Sequence, residues 1–214
     1  MNKHFVITIA REFGSGGKEI GVKVGELLGI PCYEKEIITK ASEYSGLNEE
    51  LFEQVDEKLR GNVWGKKLLN VPARYVITPE KKAFVSDDNL FHFQRKIIEK
   101  LARTQSCVII GKCADFILWN DPFMFNVFIG APFCDCVRSI SERLHVSEEK
   151  AAKMVRTTNQ YRADYYRYYT GGRDWKDPLN YFMYLNSSQI GRQQCAELIA
   201  TYTRNKFRLD EKQI

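Results

Sequence analysis

The residues best suited to chemistry stand near the start of the chain, in a glycine-rich segment followed by a lysine. Gly14, Gly16 and Gly17 allow consecutive backbone N–H groups to turn inward, and Lys18 adds a positive charge. An apolar run, 5–10, precedes the glycines and a helical pattern follows them. This order of parts is typical of a loop that cradles phosphate groups. A glycine-rich turn that binds no nucleotide is the alternative interpretation.

The match to the full phosphate-loop pattern, Gly-x4-Gly-Lys-Ser/Thr, is incomplete. Glu12 stands at the first glycine position, and Glu19 stands at the Ser/Thr that would hold Mg²⁺. The Glu19 carboxylate can in principle ligate Mg²⁺, which prefers oxygen ligands, although it would lie among phosphate charges. Glu19 is therefore the candidate metal ligand. The residues expected to bind nucleotide are Gly14, Ser15, Gly16, Gly17, Lys18 and Glu19.

A second concentration of charge follows Ser147, in a segment with the pattern of a long helix. Four residues recur there at helical spacing on one face: Arg156, Gln160, Asp164 and Arg167. Arg162 stands on the same predicted helix. The guanidinium group binds two phosphoryl oxygens at once and stays protonated, so these arginines are candidate phosphoryl ligands. Surface salt bridges are the alternative.

Lys112 and Asp115 form a third candidate site. They follow the apolar run 107–111, which is typical of a central strand of a parallel sheet. Ligands of open α/β sheets bind at the carboxyl ends of the strands, so both residues are expected to face a substrate. A surface lysine at the start of a helix is the alternative for Lys112.

These residues need a sheet to position them, and the chain supplies alternating apolar runs and helical patterns. Five runs are candidate strands: 5–10, 30–33, 107–111, 125–130 and 181–186. Helices are predicted between them, over 34–44 and 133–144 among others. The alternation predicts a parallel sheet covered by helices on both faces.

Composition sets broad limits on function. A chain of 214 residues with a net charge of +5 suits a single domain that binds anionic ligands. No nucleic-acid-binding motif, secretory signal or membrane-spanning run is visible, and the six scattered cysteines are expected to be reduced core residues of a cytoplasmic protein. Residues 61–88 are irregular and basic. They suit either a solvated connection or a mobile lobe that closes over a second anion.

Together, AREFGSGGKEIG, IPCYEKEII, CVIIGKCADFIL, NVFIGAP, RADYYRYYTGGRDWKDPLNY and LNSSQIG resemble the cytidylate kinase-like family, relatives of the nucleoside monophosphate kinases with the P-loop kinase fold. The resemblance implies one domain over residues 1–214, with a three-layer α/β/α architecture and a five-stranded parallel sheet. It also implies an acceptor-binding lobe near 46–95 and a lid near 156–177. ATP and Mg²⁺ are the implied cofactors, and a nucleoside monophosphate such as CMP, or a similar small phosphorylated molecule, is the implied acceptor.

The resemblance also implies roles for single residues. Lys18 would bridge the β- and γ-phosphates, and Lys112 would anchor the acceptor phosphate. The lid pattern Arg-x-Asp/Glu-x-x-Arg is matched by Arg162, Asp164 and Arg167, which would act on the transferring phosphoryl group.

Four residues differ from those usual in the family: Glu12, Glu19, Lys112 and Phe182. A nucleotide-binding regulatory protein without transfer activity is therefore the alternative function. A third hypothesis is a homo-oligomer that uses the aromatic residues of the lid as its contact surface.

Overall fold

Five strands form one parallel sheet at the centre of the molecule. The structure is a computed structural model and describes residues 4–45 and 87–209. Its strands are β1 (Val6–Arg11), β2 (Cys32–Tyr33), β3 (Cys107–Ile110), β4 (Met124–Gly130) and β5 (Met183–Asn186). They are ordered β2-β3-β1-β4-β5, and every neighbouring pair is parallel. The predicted α/β fold with a five-stranded parallel sheet is confirmed.

Helices connect the strands and cover both faces of the sheet. They are α1 (Gly17–Leu28), α2 (Glu36–Ser45), α3 (Asp87–Thr104), α4 (Ala114–Ile117), α5 (Phe133–Leu144), α6 (Glu148–Tyr169), α7 (Ser187–Ile190) and α8 (Arg192–Phe207), with a 3₁₀ turn at Pro178–Asn180. Among the described residues, no helix is long and apolar enough to cross a membrane.

Successive residues of β1 point to opposite faces of the sheet, and both faces are buried. Ile7 and Ile9 pack with α1 and α8, whereas Val6 packs with α2 and α3. The strand is therefore apolar at four of its six positions, as expected of a central parallel strand. Because β1 lies between β3 and β4, the residues that follow these three strands meet at one edge of the sheet.

Several predicted boundaries are confirmed. Helix α5 spans the predicted residues 133–144, and the Ser147 hydroxyl accepts a hydrogen bond from the Lys150 N–H, as an N-cap should. Helix α2 begins two residues later than predicted, because the Glu34 N–H donates to the Glu36 carboxylate and stays outside the helix.

The last predicted strand is shorter and more exposed than expected. Strand β5 begins at Met183, because the Phe182 N–H donates to the Asn126 side chain and Tyr181 ends the 3₁₀ turn. The prediction of a core strand is wrong for Phe182, which lies before β5 and is exposed, and for Tyr184, which is exposed on this edge strand. Asn186 caps α7, and the closing helix α8 begins only after Gly191.

The cysteines carry free thiols, as expected of reduced residues. Their predicted core position holds for four of the six, since Cys32 is half-buried and Cys134 is exposed. The predicted acceptor lobe lies outside the described residues over 46–86, and its remaining part, 87–95, is the beginning of α3.

Candidate functional site

The glycine-rich loop joins β1 to α1 and has backbone angles that favour glycine. Gly14 has φ 95° and Gly16 has φ 78°. A Cβ atom on Gly14 would lie 2.5 Å from the Cys136 carbonyl oxygen, so the loop lies directly on the first turn of α5. The loop is also held from the opposite side, because the Ser187 hydroxyl donates to the Ser15 carbonyl at 2.7 Å.

The loop leaves several backbone N–H groups at the beginning of α1 outside the helical hydrogen-bond ladder. The first bond of the helical ladder runs from the Ile20 N–H to the Gly16 carbonyl, at 2.9 Å. The N–H groups of Gly17, Lys18 and Glu19 therefore precede the ladder, at the positive end of the helix dipole. This arrangement suits an anion, and phosphate binding at the loop stays a prediction.

The predicted loop lysine is bound to a carboxylate that follows β2. Lys18 Nζ lies 2.7 Å from one oxygen of Glu34, and Arg11 Nη2 lies 2.8 Å from the other. Burial raises the pKa of the Glu34 carboxyl, but the hydrogen bonds and charges of Lys18 and Arg11 outweigh burial and hold that pKa below its ordinary value. The same hydrogen bond raises the pKa of Lys18. Glu34 is therefore ionised at neutral pH.

Arg11 connects the loop to helix α6. Its side chain passes so close to Gly17 and Gly111 that a Cβ atom on either would overlap it. Its carbonyl oxygen accepts a hydrogen bond from Arg162 Nη1 at 2.7 Å. Burial and the nearby Arg11 charge lower the pKa of Arg162.

These side chains line a cavity of about 470 Å³ at the carboxyl ends of β1 and β3. Its wall includes Arg11, Glu34, Lys112, Asp115 and Arg162. The structure therefore brings together Lys112, Asp115 and Arg162, three of the predicted site residues, and places Glu34 between them and Lys18.

The β3 end of this cavity has an unusual backbone. Lys112 has φ 59° and Cys113 has φ 52°, directly after Gly111 at φ 73°. Non-glycine residues rarely adopt this conformation, and strained residues concentrate at functional sites. Behind them Asp115 is buried and accepts a hydrogen bond from the Tyr166 hydroxyl at 2.8 Å. Burial is the main reason that the pKa of Asp115 is raised.

The other predicted lid residues lie elsewhere. Asp164 accepts a hydrogen bond from Gln160 and lines a second cavity of about 920 Å³ on the opposite side of α6, together with Arg156. Glu12 and Lys176 form an ion pair in the wall of this second cavity. Arg167 is exposed and lines neither cavity. The structure thus separates Arg162, Asp164 and Arg167, which the sequence pattern groups together.

Residues 6–189 match the family model described as the cytidylate kinase-like family. The chain belongs to the cytidylate kinase-like family. No curated protein sequence matches it significantly.

Solved structures share the kinase fold of this family member. An uncharacterized protein from Eubacterium ventriosum is 24% identical, with a TM-score of 0.67 over 94% of this chain and 98% of that one. The shikimate kinase from Acinetobacter baumannii, solved with shikimate, is 12% identical, with a TM-score of 0.51 over 97% and 96% of the two chains. The shikimate kinase from Bacteroides thetaiotaomicron is 11% identical, with a TM-score of 0.52 over 96% and 99%.

The loop of this cytidylate kinase-like protein fits the phosphates of ATP, because its backbone donors and positive-φ glycines form a cradle beside Lys18. The set of side chains that could hold Mg²⁺ is less complete than the phosphate cradle. Glu19 is ion-paired with Arg192, whose Nη2 also donates to the Ser139 hydroxyl at 2.8 Å. Among residues 4–45 and 87–209, no group of three His, Cys, Asp or Glu side chains is placed to hold a metal. Mg²⁺ needs only one or two carboxylates beside substrate phosphates, so Glu19 can contribute after it leaves Arg192.

Sequence reasoning missed four charged residues of this region: Arg11, Glu34, Lys176 and Arg192. Arg11 and Glu34 each stand at the carboxyl end of a strand, the same signal that identified Lys112. Lys176 and Arg192 carry no local signal, because their partners lie more than 160 residues away in the chain.

Proposed function

We propose that this protein transfers the γ-phosphoryl group of ATP to a small anionic acceptor. A nucleoside monophosphate such as CMP is the acceptor to test first, because the family takes its description from cytidylate kinase. The observation that carries the proposal is the ionic chain from Lys18 through Glu34 to Arg11. It joins a phosphate cradle directly to a cavity that contains Lys112 and Arg162. A donor site and an acceptor site therefore share a boundary.

The chain's own residues supply positioning and charge, which phosphoryl transfer needs more than covalent chemistry. The N–H groups of Gly17 and Lys18 hold donor phosphates, and the Lys18 ammonium neutralises their charge. Arg162 faces the transferring group from the lid helix, and Lys112 holds the anionic group of the acceptor. When bound, Mg²⁺ neutralises phosphate charge beside Glu19. Arg167 and Asp164 lie outside the acceptor cavity, so we propose smaller roles for them than for Arg162.

The test is ADP release from ATP and Mg²⁺ with CMP, UMP, dCMP, AMP and GMP. Lys18→Ala is compared with Lys23→Ala, which removes an exposed lysine from the same helix. We expect Lys18→Ala to lose ATP affinity in calorimetry and to lose turnover, and Lys23→Ala to keep both. Equal ATP affinity in the two variants would contradict the proposed phosphate cradle.

Binding without transfer is the second candidate function. The Glu19–Arg192 ion pair favours this function, because the pair engages the only candidate metal ligand that the sequence identified. ATP binding that depends on Lys18, with no ADP released for any acceptor, would support this alternative.

A further inference from the structure

Glu34 is a carboxylate placed between the proposed donor and acceptor sites. Its two oxygens contact the loop lysine and Arg11 at 2.7 and 2.8 Å, and its side chain lines the acceptor cavity while remaining 20% exposed. It is neither a cradle residue nor an anchor for an anion, because it carries the wrong charge for both. Its presence at this boundary needs a chemical reason.

The charge of Glu34 discriminates between two kinds of nucleophile. A phosphate oxygen is already deprotonated at neutral pH and would be repelled by a neighbouring carboxylate. A hydroxyl group, in contrast, donates a hydrogen bond to a carboxylate and must lose its proton as it attacks phosphorus. Kinases that phosphorylate hydroxyl groups use a carboxylate to accept that proton. The position of Glu34 beside Lys18 therefore favours a hydroxyl nucleophile.

The rest of the cavity requires the same molecule to carry a negative charge. Glu34 offsets one of the two positive charges of Lys18 and Arg11, while Lys35, Lys112 and Arg162 also face the cavity. Among the residues that the structure describes, the only other carboxyl group in the wall is that of Asp115, which is buried, accepts a hydrogen bond from Tyr166 and has a raised pKa. The cavity is therefore cationic away from Glu34.

We infer that the acceptor is a small carboxylated or phosphorylated molecule that is phosphorylated on a hydroxyl group, with Glu34 as the catalytic base. The inference rests on the proposed phosphoryl transfer and specifies its nucleophilic atom. The acceptor O–H bond breaks and its proton passes to the Glu34 carboxylate. The acceptor oxygen bonds to the γ-phosphorus of ATP, and the bond from that phosphorus to the β,γ-bridging oxygen breaks. ADP leaves with the electron pair.

The first experiment measures phosphorylation of glycerate, quinate and fructose 6-phosphate against the nucleoside monophosphates. Glu34→Gln, Glu34→Asp and the control Glu26→Gln are compared with the unmodified protein. Glu26 is also paired with a lysine, but it lies on the exposed side of α1. We expect Glu34→Gln to slow transfer to hydroxyl acceptors by about 100-fold or more, as is typical of a lost general base. We expect Glu34→Asp to retain most activity and Glu26→Gln to retain all of it.

Slow hydrolysis of ATP tests the inference without an identified acceptor, because water is itself a hydroxyl nucleophile. We expect Glu34→Gln to lower this hydrolysis at least 10-fold while ATP affinity stays the same or increases, since Lys18 loses its competing partner. If Glu34 only positioned Lys18, Glu34→Gln would instead lower ATP affinity.

Two outcomes would overturn the inference. One is hydrolysis by Glu34→Gln at or above the rate of the unmodified protein. The other is phosphorylation of CMP or another nucleoside monophosphate that is insensitive to Glu34→Gln, which would leave the proposed function intact. ATP binding that is insensitive to Lys18→Ala would instead remove both proposals. Unfolding midpoints of all variants confirm that each one is folded.

Discussion

Replacement of Gly14 by alanine tests whether the phosphate loop lies on α5 as the structure shows. Gly14 and Gly171 both have positive φ, 95° and 71°. A Cβ atom on Gly14 would meet the backbone of Cys136 at 2.5 to 2.8 Å, whereas one on Gly171 would have no atom within 4 Å. Gly171→Ala is therefore a matched control that carries the backbone strain without the overlap.

The expected magnitudes follow from these two contributions. Backbone strain costs each variant about 1–2 kcal/mol of unfolding free energy. Overpacking against a backbone that cannot rotate away adds about 1–3 kcal/mol to Gly14→Ala alone. A difference of about 2 kcal/mol between the variants corresponds to roughly 4–8 °C in Tm for a chain of this size.

The assay is thermal unfolding followed by circular dichroism, with calorimetric titration of ATP on the folded proteins. Gly14→Ala should melt lower than Gly171→Ala and also lose ATP affinity, because the displaced loop no longer aligns its N–H groups. Melting temperatures within about 1 °C of each other would refute the contact between the loop and α5.

Three further predictions concern other parts of the site. Because burial raises the pKa of Asp115, the folded protein loses stability as the pH rises from the ordinary value of 3.8 through the raised one. Asp115→Asn keeps an oxygen that accepts the Tyr166 hydrogen bond but has no carboxyl group to ionise. Urea unfolding should therefore show the unfolding free energy of Asp115→Asn rising, relative to that of the unmodified protein, by about 1.4 kcal/mol per pH unit between these two pKa values. Lys112→Gly relieves the strain at φ 59° and should raise the unfolding free energy by about 0.5 kcal/mol while it weakens acceptor turnover, as urea unfolding and the ADP assay can measure. Under native conditions a thiol reagent should label Cys134 first and spare Cys136, because Cys134 is exposed whereas burial raises the pKa of Cys136 to about 11; equal labelling rates would contradict the packing of α5.

The sequence predicts the strands well, because buried parallel strands are apolar on both faces and so form uninterrupted runs. The loop was found for a similar local reason, since its glycines and Lys18 are consecutive. The pairing of Lys18 with Glu34 could not be predicted, because it depends on β2 lying two strands from β1 across β3. Phe182 was misplaced because an exposed apolar residue looks the same in a sequence as a core residue, and only the fold places it before β5 and outside the core.

The structure separates the three residues of the lid pattern for a geometric reason. Arg162 and Asp164 lie two positions apart, about 160° of arc on a helix, whereas Asp164 and Arg167 lie three positions apart and only about 60° from each other. Arg162 therefore faces different surroundings from the other two, although all three are neighbours in the motif. Arg162 faces the first cavity, Asp164 faces the second, and Arg167 faces solvent.

Helix α6 forms a wall of both cavities, and Tyr161 lines the two of them. A helix of 22 residues is about 33 Å long, and a shift of this helix that widened one cavity would change the shape of the other. A molecule that shifted the helix from one side would therefore change the affinity on the other, and the change would be equal in both directions. The two cavities share this helix as their common wall.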